Sequence, residues 1–419
     1  MTGSGSGVAR YTYHHHLRAS LMEGALTGVL TLNDVVARKA LGATQFQLVV
    51  LTMAPGTLSL LALVLAHRFD SVERRKLFLW AGIVGRLVLF LVAAVSGPWL
   101  FLAVLSIHGL VQTVVVPAQN SIFQNNYDST QRGRLFGRAS TYGGAVTAVA
   151  ALGAGMALDR SPDIFRWIYP AAGVAGFFAL MRYGAIRVRR TRSAQESVPE
   201  TPPGEAAIAL APAPPDDRPI SPLAVLRETL GRDAGFRRYE MAMMVYGMGF
   251  MVMQPIFARL FVDELQMTYS AAAWAKGVVF YSVYVISLLF VGRLHDRFGL
   301  HKLGIFATLS LMAFAASAAF VRTPHQAIAA FALYGLGMAG IHIVWSIGPI
   351  EFAPPRAATR YIGVHIALVG VRALFGHPLG GAVAAWFGRT REAFVLAAFF
   401  FLGAALLMMR AMRLRERGA

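Results

Sequence analysis

Gly292-Arg293-Leu294-His295-Asp296-Arg297-Phe298-Gly299-Leu300-His301-Lys302 lies between two long apolar segments and decides how the rest of the chain is read. A weaker copy runs from Ala66 to Lys76, with Ala66 and Glu73 in place of the glycines. The offset of 226 residues between Asp70 and Asp296 also carries Arg75-Lys76 onto His301-Lys302, and Arg134, Gly137, Gly144 and Gly155 onto Arg360, Gly363, Gly370 and Gly381. Two separate stretches share one register. The chain therefore reads as a duplicated bundle, each half repeating a charged turn and a glycine-spaced helix.

Composition places that bundle in a bilayer, since 56% of the 419 residues are hydrophobic and only 14% are charged. The net charge of +18 does not point to nucleic acid. The basic residues punctuate the ends of apolar runs and form no stripe interleaved with aromatics. The absence of cysteine excludes disulfides, thiolate metal sites and cysteine nucleophiles. No Gly-x-x-x-x-Gly-Lys-Ser/Thr loop, Ser/His/Asp order, His-Glu-x-x-His or acidic metal cluster is present, so neither ATP hydrolysis nor enzymatic catalysis is expected, and no cofactor. The stretch up to Tyr13 is Gly/Ser-rich and followed by His14-His15-His16; it lacks the apolar core of a cleaved signal peptide.

Twelve apolar runs are long enough to cross about 30 Å of hydrocarbon as helices. Their approximate limits are Leu17 to Ala37, Thr44 to Ala66, Leu77 to Ser96, Trp99 to Phe123, Leu135 to Leu158 and Phe165 to Ile186, then Phe236 to Phe261, Ser270 to Leu294, Leu303 to Val321, His325 to Phe352, Tyr361 to Phe387 and Ala393 to Met412. The expected organisation is a cytoplasmic tail (1–16), a six-helix bundle (17–186), a cytoplasmic linker (187–234), a second six-helix bundle (235–412) and a short cytoplasmic tail (413–419). Most of the 39 Lys and Arg fall in loops on the side of the termini, which sets that side as cytoplasmic and the membrane as the inner (plasma) membrane. Within the linker, Ser193 to Pro219 is rich in Pro, Ala and acids and is expected to be flexible, while Ser221-Pro222 opens a short helix to Leu230 whose Leu223, Leu226 and Leu230 suit the membrane surface.

The pattern Gly-x-Leu-x-Asp-Arg-Phe-Gly-x-basic-basic resembles the signature loop between the second and third helices of each half in the major facilitator superfamily. The resemblance implies an all-α membrane protein of twelve transmembrane helices in two pseudo-symmetric six-helix bundles. Helices 1, 4, 7 and 10 would line a central cavity, 2, 5, 8 and 11 would flank it, and 3, 6, 9 and 12 would be peripheral. It implies secondary transport of a small organic solute by rocker-switch alternating access, by a monomer with no nucleic-acid partner. It also implies that Asp296 with Arg297, and Asp70 with Arg74 and Arg75, stabilise the outward-open state through a charge relay across the cytoplasmic face. Arg134 and Arg360, which open helices 5 and 11 in register, are assigned to the same gate.

An ionisable side chain within a span costs several kcal/mol unless paired or hydrated, so each is a functional candidate. Helix 1 carries Glu23 and Asp34, eleven residues apart and so on one face near opposite ends. Arg86 in helix 3 is expected to pair with Glu23 or Asp34, and Lys276 in helix 8 to snorkel outward. Arg372, midway along helix 11, is the expected substrate contact. The cavity set is completed by His108, Gln112, Tyr246, Gln254, Tyr281, His342, Trp345 and His377. Pro255 is expected to break helix 7, and Gly335, Gly337 and Gly340 to loosen helix 10.

Glu23 and Asp34 also suit proton coupling, because a carboxylate that loses and regains solvent as access alternates can load and release a proton. Glu23 is the expected carrier and Asp34 the outer-gate partner of Arg86 or Arg38. Paired acids in the first helix are similar to those of multidrug/proton antiporters in the superfamily. The glycine-proline signature expected in helix 5 is missing, where Gly153-Ala154-Gly155 stands instead. A small organic anion, a sugar-like polyol and an amphipathic drug all remain open as solutes. The competing readings are a non-transporting sensor, a membrane-embedded enzyme, or a uniporter without ion coupling.

Overall fold

The computed structural model describes residues 4–69, 73–127, 129–188, 222–354 and 357–418. Asp70 and the linker stretch expected to be flexible lie outside them. Among the described residues, nine helical stretches are long and apolar enough to cross a membrane by length and composition. One of them, Tyr269–Ala318, is two passes joined at Gly299, whose φ of 77° and ψ of 171° a side chain would resist. With two more passes at the N-terminal end, the count is twelve.

The passes are α1 (Ser4–Leu30, resuming as Asn33–Lys39), α2 (Gln45–Phe69), α3 (Arg74–Ala94), α4 (Pro98–Asn126), α5 (Ser129–Arg160) and α6 (Phe165–Gly184). After the linker come α7 (Ala234–Glu264), α8 and α9 (269–298 and 300–318), α10 (Pro324–Phe352), α11 (Ala358–Phe387) and α12 (Arg391–Gly418). Within each bundle α1 packs on α5 and α6, and α7 on α11 and α12. The bundles meet along two seams, α2 against α11 and α5 against α8. These are the pairs that a two-fold relation between the repeats exchanges.

Helix 1 departs from the expected span at both ends. It begins at Ser4, because the polar residues read as a tail find partners on other helices: Thr12 accepts from Asn126 Nδ2 at 2.9 Å, and the Tyr11 hydroxyl donates to the Ala185 carbonyl at 3.1 Å. It also breaks at Thr31-Leu32, leaving Asn33–Lys39 as a separate short segment. Pro255 does interrupt α7, with 3-10 geometry over Gln254–Ile256 followed by a π turn over Leu260–Glu264. Helix 10 is not loosened: it is continuous, and Gly335 lies where the backbone of Phe280 approaches.

Gly24 and Gly28 bring α1 against α5 so closely that an added Cβ would meet the carbonyls of Gly143 and Thr147. Backbone cannot swing aside as a side-chain tip can. Gly28→Leu should therefore lower the thermal midpoint of the purified protein, with overpacking of about 1–3 kcal/mol or more. A melting curve in detergent that matches the parent's would contradict this packing.

The short helix Pro222–Arg232 docks on the second bundle, with Val225, Leu226 and Leu230 packed against its core. Arg360, expected in a gate, holds this helix: it pairs with Glu228 at 2.8 Å and donates to Thr229 at 2.7 Å. Asp233 closes the join by capping Phe236 and accepting from the Tyr361 hydroxyl.

Candidate functional site

Helix 3 changes from α to 3-10 geometry at Arg86, and the change turns a nominally peripheral side chain inward between α1 and α4. One guanidinium nitrogen of Arg86 donates to both carboxylate oxygens of Glu23 at 2.8 and 3.1 Å, and to Gln112 at 3.0 Å. The other lies 3.1 Å from His108 Nε2. His108 Nδ1 donates to the Gly85 carbonyl at 2.7 Å, which leaves Nε2 as the acceptor facing Arg86. Arg86 is 1% exposed. Such a cation is costly in a bilayer unless it is paired or hydrated, and here Glu23 supplies a carboxylate partner.

Glu23 faces two ways. Its carboxylate holds Arg86, and it also lines a cavity of about 680 Å³ built from α1, α4, α5 and Tyr183 of α6 in one bundle and α8 and α10 of the other. The cavity walls carry hydroxyls (Ser20, Thr141, Tyr281, Tyr284), amides (Gln112, Gln119, Asn120) and the imidazoles of His16 and His342. Among its described lining residues Glu23 is the one carboxylate, and no Lys or Arg is present. A second cavity of about 220 Å³ lies beyond the Arg86 cluster, lined by His108, Gln254, Asp34 and Lys276. The Arg86 cluster thus stands between two spaces.

At the face away from the termini the bundles are tied together. The short segment Asn33–Lys39 supplies a crossed set of charges: Asp34 pairs with Lys276 at 2.5 Å, and Arg38 grips Asp263 through Nε and a terminal nitrogen at 2.7–3.1 Å. Both partners sit in π turns, Asp263 in Leu260–Glu264 and Lys276 in Trp274–Val279. Lys39 adds a bond to the Met267 carbonyl at 2.7 Å and lies over the Tyr269 ring. Asp159 at the end of α5 accepts from the backbone nitrogens of Tyr269 and Ser270, capping α8 across the seam, and Gln45 donates to the Pro255 carbonyl. The expected partners of Asp34, Arg86 or Arg38, are corrected to Lys276. Lys276 does not snorkel, because the π turn aims it at Asp34.

Other expected cavity residues lie outside the larger cavity. Arg372 does not line the 680 Å³ cavity; it is 4% exposed, set between α11 and α7 opposite Gly247, and donates to the Met243 carbonyl at 2.6 Å. Tyr246 is buried beside it, its ring 5.9 Å from the guanidinium carbon. His377 is buried with Nδ1 donating to the Ala373 carbonyl of its own helix. Trp345 stacks edge-on against His365, 5.3 Å between centroids, and His365 is in turn 2.9 Å from Glu240 in a buried pair. Gln254 donates to the Tyr334 hydroxyl at 3.2 Å.

Around the termini face Asp296 is exposed on the surface, with His295 Nδ1 at 3.6 Å, while Arg297 lies over the Phe298 ring. Arg134 is exposed, and Arg74 donates to Ser121 at 3.0 Å. Arg75 faces a groove on the outer wall of the first bundle. His16, which the sequence reading left in a tail, is a cavity residue: it is buried among Phe123, Phe136 and Tyr183, with Nδ1 3.1 Å from the Tyr127 hydroxyl. The signal that could have found it is its place three turns into a helix whose polar residues recur on one face.

Comparison with known proteins adds three findings. A family model described as the Major Facilitator Superfamily matches residues 19–233 and 240–419. No curated protein sequence is similar enough to match. Among solved structures, a point-substituted form of the nucleoside transporter NupG superposes with a TM-score of 0.71 at 13% identity, over 96% of this chain and 99% of that one. A bacterial homologue of the human lysosomal transporter Spinster, inward-facing and unoccupied, gives 0.66 at 13% identity, over 99% and 98%. The E. coli fucose:proton symporter FucP, in a substituted form, gives 0.58 at 17% identity, over 96% and 99%.

Proposed function

Because the chain belongs to the major facilitator superfamily, we propose that it carries a small, neutral, hydrogen-bonding solute through the bilayer by alternating access, coupled to protons through Glu23. Membership makes it a multi-pass membrane transporter rather than an enzyme. What carries the finer reading is the cavity of about 680 Å³, walled by both bundles and backed at the far end by cross-bundle ion pairs. That volume fits a small-molecule ligand. Its walls favour a polyhydroxylated ring solute over an anion, since hydroxyls, amides and aromatic faces abound and no cation stands among the described lining residues. The nucleoside and fucose transporters among its structural neighbours agree with that class.

In this reading the termini face is cytoplasmic, by the distribution of Lys and Arg, and the state is inward-open. Asp296, released here into solvent, takes up its partners when the cytoplasmic face closes. Protonation of Glu23 loosens its hold on Arg86, whose guanidinium keeps its bonds to Gln112 and His108. Solute and proton thus act on one cluster that touches both cavities.

Proteoliposomes loaded with neutral nucleosides, hexoses, organic anions or amphipathic cations, with and without a pH gradient, test the proposal. Neutral polyhydroxylated solutes should accumulate when the gradient is imposed. Accumulation of anions instead, or equal uptake with and without the gradient, would overturn it.

A further inference from the structure

On the outer wall of the first bundle, away from the seams, a groove of about 580 Å³ lies at the termini face over the start of α3, the end of α6 and Tyr11 of α1. Its rim carries two exposed cations, Arg75 on the first turn of α3 and Arg187 just past the end of α6. Its floor is apolar, with Leu79 and Met181. The third wall is Tyr11, held in place by its hydroxyl bond to the Ala185 carbonyl at 3.1 Å.

The geometry points to a site for an anionic phospholipid. Arg75 and Leu79 are one turn apart on α3, and Ile83 one turn further, so the three share a face running from the membrane surface inward. Leu79 and Ile83 are each 39% exposed on that face. A phosphodiester held by Arg75 and Arg187 therefore lays its acyl chain along Leu79 and Ile83, where a free anion would have only hydrocarbon beneath it. Charge sits at the headgroup level and apolar surface below, which is the order of a lipid. The bound lipid would bridge α1, α3 and α6 within the first bundle.

Native mass spectrometry of the purified full-length protein, titrated with phosphatidylglycerol or phosphatidylcholine, tests the site. The parent should retain phosphatidylglycerol over phosphatidylcholine, and the Arg75→Gln/Arg187→Gln double variant should lose about twenty-five-fold in phosphatidylglycerol retention, at about fivefold per guanidinium. Leu79→Ser should weaken phosphatidylglycerol retention as well, and millimolar inorganic phosphate should not compete. Both arginines and Leu79 are exposed, so an unchanged melting temperature is expected of each variant. Equal retention by parent and double variant, no preference over phosphatidylcholine, or displacement by phosphate would overturn the assignment.

Discussion

Glu23→Gln is expected to abolish uphill uptake driven by a pH gradient while leaving solute counterflow within a few-fold of the parent. The amide oxygen introduced by that substitution can still accept from the Arg86 guanidinium, so the packing of α1, α3 and α4 survives. The amide cannot load or release a proton. Removing the other partner has a different outcome: Arg86→Ala strands Glu23 without its counter-ion and empties one of the largest fully buried side chains, at a cost of about 3–5 kcal/mol. That variant should fail to yield folded protein. Retained accumulation against a gradient in Glu23→Gln would remove this residue as the proton carrier.

Asp34→Asn with Asp263→Asn should open the distal face. The Arg38–Asp263 pair is about 30% exposed on each side and contributes about 1 kcal/mol, while the more enclosed Lys276–Asp34 pair contributes about 2 kcal/mol. Their joint loss shifts the balance of states by about a hundredfold. Thr52 lines the smaller cavity behind this latch, and the chain has no native cysteine, so Thr52→Cys gives a clean reporter. A membrane-impermeant maleimide added from the distal side should label it at least tenfold faster in the double variant. Exchanging the charges, Asp34→Lys with Lys276→Asp, should restore slow labelling. Equal rates in all three proteins would mean that these pairs do not hold the face shut.

The passes were legible because a bilayer demands long apolar runs, and the repeat because Asp70/Asp296 and Arg134/Arg360 share one offset. Glu23, Gln112, Tyr281 and His342 stood out as polar residues in such runs, and all four line the large cavity. The pairing of Arg86 with Glu23 was one of two options that spacing allowed. Partners that depend on local departures from helix geometry were not legible. Lys276 reaches Asp34 from a π turn, and Asp263 reaches Arg38 from another, which no 3.6-residue periodicity foretells. Arg372 was misplaced because mid-span depth fixes height and not direction: the space left by Gly247 lets its side chain tuck against α7. His16 was missed since its neighbours made the stretch look like a tail.

The central claim is that the two bundles rock about the large cavity, closing one face as the other opens. Spin labels on exposed positions report this directly: Arg138 and Arg410 toward the termini face, Asp163 and His325 at the distal face. Distances within each pair, measured by pulsed electron resonance across pH and with saturating transported solute, should change in opposite directions. Two distances that stay fixed, in a preparation that transports, would contradict the account.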